Sequence, residues 1–400
     1  MNKYVFESAK RCLQCENPQC QKGCPISTPI KEAIGLLLDG EISKAGKMLF
    51  ENNPLSIICC HVCPQENQCE GHCVLGKAGL PVQFSAIEKY ISDFFLYRYE
   101  PKKSNKSRGK VAVIGSGPSG LTVAFQLAQL NYDVTIFERH SHIGGVTWYG
   151  IPEFRLPREI LRQIRQLALN SGITIRPNLT IGRNITIDTL LNDGYQAIFI
   201  GAGVWKPKKL NVPGESYGNV HYALDFLKKP SVYYGLGKTV AVIGAGNVAM
   251  DTARTAFRFG AEEVAIICRG DETEITAREV EKEYAVLDGA KFMFNKEIME
   301  FNDDGVILKD RKTGKIEVLE CDTSIIAIGQ EPRNIIVSNT TGIETNEKGQ
   351  VITNEYGMTT REGIFAGGDV VTGAKTVVEA VVSAKEIAKQ IHTYIQKESE

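Results

Sequence analysis

"KVAVIGSGPSGLTVAFQLAQLNYDVTIFE", residues 110–138, decides the architecture. Val111 to Ile114 form an apolar run that reads as a strand. The turn GSGPSG follows, then a segment with helical spacing, then a second strand ending at Glu138. In a strand–turn–helix unit each glycine has its own reason. Gly115 permits the tight turn, Gly117 lets backbone approach a pyrophosphate, and Gly120 lets helix and strand pack closely. A phosphate is favoured at the helix N-terminus, beside Pro118, by free N–H groups and the dipole. Glu138 comes 18 residues after Gly120, with Arg139 beside it, where a carboxylate can accept hydrogen bonds from a ribose diol. The competing reading is a purely structural glycine turn.

The pattern occurs again in "KTVAVIGAGNVAMDTARTAFRFGAEEVAIICR", residues 238–269, with Gly244, Gly246, Asn247 and Val248 in the turn and Ala249 replacing the third glycine. Aligned strand on strand, Cys268 takes the place of Glu138, and Arg269 follows. A missing carboxylate and an adjacent arginine lean towards a 2′-phosphate, hence NADP, although Arg269 could equally be a solvated surface charge and the coenzyme NAD. Two such sites imply two dinucleotides. One flavin and one nicotinamide make a redox pair.

The C-terminal "GIFAGGDVVTGAKTVVEAVVSAKEIAKQIHTYI" reads as strand, turn and long amphipathic helix. Gly367 and Gly368 allow close backbone approach, Asp369 can bind a hydroxyl chain, and a helix starting near Thr376 turns a positive dipole end towards an anionic ligand. With these residues the sequence resembles the two-dinucleotide-binding flavoproteins, which implies FAD in the first unit and NAD(P)H in an inserted second.

The chain has 400 residues, a net charge of −1, 43% hydrophobic and 23% charged residues, enough for two or three domains. Near-neutrality and the lack of a long basic run leave no electrostatic footprint for nucleic acid or anionic membrane. The first residues lack the apolar stretch of a signal peptide, and no run of about 18 apolar residues occurs, so the expected location is cytoplasmic. The polar stretch "EPKKSNKSRG", residues 100–109, reads as a linker.

Nine of the eleven cysteines lie between Cys12 and Cys73. Their order is C-x2-C-x4-C-x3-C-P from Cys12 through Cys15 and Cys20 to Cys24, then Cys59, Cys60, and Cys63, Cys69 and Cys73. Iron–sulfur clusters, structural zinc ions and a redox dithiol all compete. The Cys-Pro dipeptides and the wide second spacing favour iron–sulfur. A flavin accepts a hydride and can release its electrons singly, a use for clusters that zinc could not serve. A disulfide reductase would need a cysteine pair near the flavin, and residues 110–400 hold only Cys268 and Cys321.

The ordered set of "CLQCENPQCQKGCP", "NNPLSIICCHVCPQENQCEGHC", "AIEKYISD", "GSGPSG", "GGVTWYGIPEFRLP", "GAGNVAMDTAR" and "GIFAGGDVVTGAKTVVEAV" resembles the glutamate synthase small (β) subunit family over essentially the whole chain. In layout it is most similar to the bacterial NAD-dependent dihydropyrimidine dehydrogenase flavoprotein subunit. The resemblance implies FAD, NADP or NAD, and two [4Fe-4S] clusters. It implies Cys12, Cys15, Cys20 and Cys73 on one cluster, and Cys24, Cys63 and Cys69 on the other, with Glu88 in the place of a side-chain oxygen ligand. Gly145 and Arg155 would contact the flavin. Two departures stand out. Cys60-His61 replaces a frequent Gly-Arg, so Cys59 and Cys60 are not implied ligands, and Gly270 stands where many relatives carry a second arginine.

The expected fold is α/β. It comprises a helical iron–sulfur domain over 1–100, a Rossmann-like FAD domain over 109–230 and 325–400, and an inserted NAD(P) domain over 231–324. No stretch remains for a separate substrate domain. The expected role is an electron-transfer subunit working with a larger partner that contains FMN or iron–sulfur centres, or with ferredoxin. A zinc-braced flavin reductase acting alone and a non-enzymatic nucleotide sensor are the alternatives.

Overall fold

A computed structural model describes residues 3–101, 107–183, 185–233, 235–333 and 335–398. Residues 102–106 of the expected linker lie outside the described residues. By packing, the chain divides into two compact units: Met1–Gly145, Glu153–Val204 and Pro332–Glu400 form the first, Val146–Pro152 and Trp205–Glu331 the second.

The first unit opens with amphipathic helices, among them Ile30–Leu38, Ile42–Asn52, Ser56–Val62 and Phe84–Leu96. Helix Phe84–Leu96 buries Phe84, Ile87, Glu88, Ile91, Ser92 and Phe95, one face at helical period, so a carboxylate sits in an otherwise largely apolar stripe. Helix Ile42–Asn52 crosses it closely because Gly46 has no side chain: a Cβ there would lie 2.5 Å from that of Phe95.

A parallel sheet follows, in the order Ile364–Ala366, Ala197–Ile200, Lys110–Ile114, Asp133–Phe137, Thr174–Arg176. Helix Pro118–Gln129 crosses over from its central strand to the next, as the apolar-run, glycine-turn, helix pattern requires. The long helix Val377–Glu398 packs on Pro118–Gln129, burying Val377, Val381, Ala384, Ala388, Ile391 and Ile395 along one stripe. Phe50 meets Phe125 edge-on at 5.6 Å, and Lys385 donates to Asn52 at 2.9 Å, so the N-terminal helices rest directly on this layer.

The second unit contains another parallel sheet, ordered Val220–Tyr222, Thr323–Ile326, Thr239–Ile243, Glu263–Ile267, Lys291–Met293. Helix Asn247–Arg258 presents Ala249, Ala253 and Ala256 to the core; these small side chains admit a close approach. An antiparallel sheet of Lys296–Asn302, Gly305–Asp310 and Ile316–Glu320 completes the unit. The two glycine turns are equivalent in detail. Ile114 pairs with Phe137 and Ile243 with Ile267, while Gly115 N–H donates to Phe137 at 2.8 Å and Gly244 N–H to Ile267 at 3.0 Å.

Candidate functional sites

The first glycine turn separates glycines the fold needs from one it does not. A Cβ on Gly120 would stand 2.0 Å from the Gly115 carbonyl oxygen, and one on Gly115, at φ +96°, would be 2.5 Å from that of Gly201. Gly145, at φ +57°, would press within 2.8 Å of the Gly117 Cα. Gly117 faces nothing within 4 Å. No atom of the described residues accounts for its missing side chain, whereas a pyrophosphate lying against the turn would. Pro118 begins the helix, whose N-terminus has no side-chain cap.

Glu138 is buried and holds this loop together. One carboxylate oxygen accepts from the Ser116 N–H at 3.0 Å and from the Ser116 hydroxyl; the other accepts from the His140 N–H at 2.8 Å. Arg139 lies half-buried beside it. Gly368, at φ +71°, has Ser119 Oγ 2.7 Å from where a Cβ would be. Asp369 starts a short helix, Asp369–Thr372, where a plain turn was expected. Its carboxyl is pushed up to about 6, chiefly by burial, against a backbone bond from Lys375. Thr376 caps the long helix: its hydroxyl donates to Glu379 at 2.6 Å and accepts from the Glu379 N–H at 3.4 Å. Arg155 is half-buried, and its backbone bonds the ring of His61.

In the second turn a Cβ on Gly244, at φ +146°, would come within 2.5 Å of the Ala327 carbonyl oxygen, while Gly246 meets only Thr276 Oγ1 at 3.5 Å. Asn247 Oδ1 accepts from the Arg278 N–H at 2.9 Å, and Val248 packs against the core. Cys268 is buried in the position equivalent to Glu138, its thiol directed at the Gly244 carbonyl at 3.8 Å. Arg269 projects into solvent.

The cysteines fall into two neighbourhoods. Cys12, Cys15, Cys20, Cys69 and Cys73 line a pocket walled by Ile30, Ile34, Val82 and Phe84, Cys69 being shared with the second neighbourhood. Burial raises the thiol of Cys12 and lifts that of Cys20 to about 11; Cys12, Cys15 and Cys73 each add to the shift at Cys20. Burial raises the thiols of Cys24 and Cys69, a bond to Cys59 and burial raise that of Cys63, and the charge of Glu88 adds to all three. Glu88 is 7% exposed, is lifted to about 7 mainly by burial, and accepts from Ser56 Oγ at 2.7 Å. Cys24 contacts Thr28 Oγ1 at 3.2 Å, and its charge is felt by Lys385 of the long C-terminal helix. Cys59 accepts from Asn53 Nδ2 at 3.2 Å and also bonds the Cys63 thiol, while Cys60 donates to the Ile57 carbonyl at 3.0 Å and is raised by burial and by the charge of Glu88. Among the described residues no three His, Cys, Asp or Glu side chains are drawn together as one metal ion would require.

The donor sets suit iron–sulfur ligation: four thiols in an apolar pocket, and three thiols with a buried carboxylate. Because thiols ligate as thiolates, binding would release protons. Sequence reasoning had missed Ser56, Ser116 and Lys385. Their spacing carries no signal, and only the packing of separate segments brings them to the site.

A redox flavoprotein with two dinucleotide turns and a cysteine-rich helical domain is the class these features define. Comparison with known proteins agrees. Residues 109–386 match the model of the pyridine nucleotide-disulphide oxidoreductases, and residues 1–99 that of the 4Fe-4S domain II of dihydropyrimidine dehydrogenase. The small chain of NADPH glutamate synthase from Halomonas elongata is 33% identical, over 97% of this chain and 90% of its own length. The PreT subunit of NAD-dependent dihydropyrimidine dehydrogenase from Salmonella typhimurium is 31% identical, over 98% of this chain and 95% of its own. Thioredoxin reductase of Lactococcus lactis superposes with a TM-score of 0.60 at 26% identity, over 72% of this chain and 99% of its own. The chain belongs to the glutamate synthase small-subunit family, and it is an oxidoreductase using FAD, NAD(P) and a 4Fe-4S centre. No helix among the described residues is long and apolar enough to cross a membrane.

Proposed function

We propose that the protein is the flavoprotein subunit of a larger cytoplasmic redox enzyme, carrying electrons between NAD(P)H and a partner through FAD and two [4Fe-4S] clusters. The cofactors supply hydride acceptance and single-electron relay; the chain supplies position and electrostatics. The domains read as 1–100 for the clusters, 109–230 with 325–400 for FAD, and 231–324 for the nicotinamide coenzyme, although residues 205–230 pack with the second unit.

In this reading Gly115, Gly117, Pro118 and Gly120 cradle the FAD pyrophosphate, and Glu138 with Arg139 holds its adenosine end. Gly145, Arg155, Gly368, Asp369 and Thr376 border the flavin, and Gly244, Gly246, Asn247 and Val248 carry the coenzyme. Cys12, Cys15, Cys20 and Cys73 serve one cluster; Cys24, Cys63, Cys69 and Glu88 serve the other. The observation that carries the reading is the division of the thiols into two neighbourhoods inside the unit that holds the first turn. Cys20 and Cys24 lie at the start and the end of the short helix Gln19–Gly23, so one segment ties both sites together.

The partner is a larger catalytic subunit with FMN or iron–sulfur centres, as glutamate synthase or dihydropyrimidine dehydrogenase would require, or ferredoxin. Anaerobic purification with iron, sulfide, zinc and flavin analysis tests the reading. Flavin with iron and sulfide is expected, and zinc in their place would refute it. Cys24→Ala should lose about half of the iron and keep the Cys12 site; loss from the Cys12 site alone would overturn the assignment.

A further inference from the structure

The loop after strand Glu263–Ile267 ends where a Rossmann-type unit meets the 2′ position of the adenosine ribose. Gly270 occupies the point where a second cation would most simply follow Arg269. The structure gives a steric reason for the glycine. A Cβ on Gly270 would lie 2.4 Å from the Glu274 carboxyl carbon, and that carboxylate is folded back to accept from the Asp271 N–H at 3.2 Å.

Another guanidinium reaches the same loop from a distant segment. Arg311, just after strand Gly305–Asp310, donates through Nη1 to the Arg269 carbonyl at 3.0 Å. Its backbone is pinned on both sides. The Arg311 N–H donates to the Asn295 carbonyl at 2.8 Å, and Asp310, paired with Lys296 at 3.0 Å, accepts from the Lys312 N–H at 3.0 Å and the Thr313 N–H at 2.8 Å. Arg311 is exposed, and a guanidinium has five N–H donors, so one carbonyl leaves most of the fork for an anion.

The local carboxylates do not neutralise this pair. Asp271 accepts from Thr273, Glu272 pairs with Lys282 at 2.8 Å, and Glu274 is held by the loop backbone. Glu297 stands 3.7 Å from Arg269, an exposed pair that costs little to separate. Cys268, in the place of Glu138, offers no carboxylate to repel a phosphate. Phosphate recognition by planar forks from two directions is strong and geometrically selective.

We infer that Arg311, together with Arg269, binds the 2′-phosphate of NADP(H) and makes the second unit selective for the phosphorylated coenzyme. The inference rests on the coenzyme reading of that unit proposed above. The test is calorimetric titration of the holoprotein with NADP+, NAD+, 2′,5′-ADP and 5′-AMP. The wild type should bind NADP+ and 2′,5′-ADP in preference to their unphosphorylated counterparts. Arg311→Ala should lose about tenfold to a hundredfold in affinity for the phosphorylated pair, with NAD+ binding unchanged, and Arg311→Lys should recover part of the loss. Equal binding of NAD+ and NADP+ by the wild type overturns the inference, as does unchanged NADP+ binding by Arg311→Ala. So does parallel loss of both coenzymes, which would mean that Arg311 only braces the loop. Failure of the wild type to bind either coenzyme would overturn the proposed function as well.

Discussion

Replacing Gly117 and Gly120 by alanine, one at a time, separates what the first turn does for the fold from what it does for a ligand. At Gly120 the new methyl carbon would sit 2.0 Å from the Gly115 carbonyl oxygen and 3.0 Å from its carbon, so helix and strand must move apart. Overpacking of this kind costs roughly 1–3 kcal/mol, and contact with rigid backbone belongs at or beyond the upper end. At Gly117 the φ is −68°, which any residue adopts, and the methyl meets nothing within 4 Å. The entropy gained from a stiffer unfolded chain, about 0.4–1 kcal/mol, is offset by the poorer N-cap that alanine makes, so stability should stay within about 0.5 kcal/mol of wild type. The methyl would nevertheless occupy the space next to the uncapped helix N-terminus. Displacing a pyrophosphate from one charge-assisted N–H bond costs about 1.5–3 kcal/mol, or roughly tenfold to a hundredfold in affinity. The assay is titration of flavin-stripped protein with FAD by fluorescence quenching, alongside urea unfolding. Gly117→Ala should lose affinity and keep its urea midpoint; Gly120→Ala should lose both. Wild-type FAD affinity in Gly117→Ala would refute the reasoning, since the one glycine unexplained by protein contacts would then be unexplained by ligand too.

Three further outcomes follow from individual contacts. Glu138→Gln must turn an amide N–H towards either the Ser116 or the His140 N–H, so one buried donor loses its acceptor at about 1–3 kcal/mol; FAD titration should show the loss, and unchanged affinity would contradict the loop-holding role. Arg254 bonds Glu281 at 3.1 Å in the core of the second unit and Asp288 at 3.0 Å. Arg254→Ala removes the 3.1 Å partner of the buried Glu281, for an expected loss of about 3–5 kcal/mol. The half-exposed Arg258→Ala should lose under about 1 kcal/mol by urea unfolding, and equal losses would refute the distinction. Asp369 has a folded-state value near 6, raised from 3.8, so the folded protein binds its proton more tightly than the unfolded chain. The flavin-free protein should therefore lose stability as pH rises from about 4 to about 6, by at most about 3 kcal/mol from this group; Asp369→Asn should flatten that slope, and an unaltered slope would assign it to other groups.

Local chemistry made the two turns legible. An apolar run, a glycine triplet and a helix are consecutive in sequence, and the register they predict brings Cys268 into the place of Glu138. The buried face of helix Phe84–Leu96 was less legible. Alone, "AIEKYISD" suits a solvated carboxylate, and only packing against helix Ser56–Val62 puts Glu88 beside Ser56 and three thiols. Residues 146–152 carry no mark of their allegiance either: the sequence runs on from Gly145, yet the short helix Val146–Tyr149 packs with Trp205–Glu331. Long-range contacts between short segments leave no periodicity behind, and such contacts supply most of what sequence reading lacked.

The same fact explains how a duplicated motif can serve two different ligands. Both turns keep the features that strand, helix and pyrophosphate demand: a positive-φ first glycine and an open second one. Apart from Ala249 in place of the third glycine, the divergence that bears on a ligand lies at the residue after the second strand and in what packs around it. In the first unit that residue is Glu138, whose two oxygens are shared among three donors of its own loop, so a ribose diol would meet an acceptor already fixed in orientation. In the second it is the thiol of Cys268, which turns inward to the Gly244 carbonyl and leaves the surface to Arg269. A buried carboxylate suits two hydroxyl donors, whereas exposed guanidinium forks suit an anion. The antiparallel sheet supplies the second fork through Arg311, 42 residues along the chain from Arg269. On the inference that Arg311 and Arg269 share the 2′-phosphate, replacing Arg269 alone should weaken the preference for the phosphorylated coenzyme without reversing it.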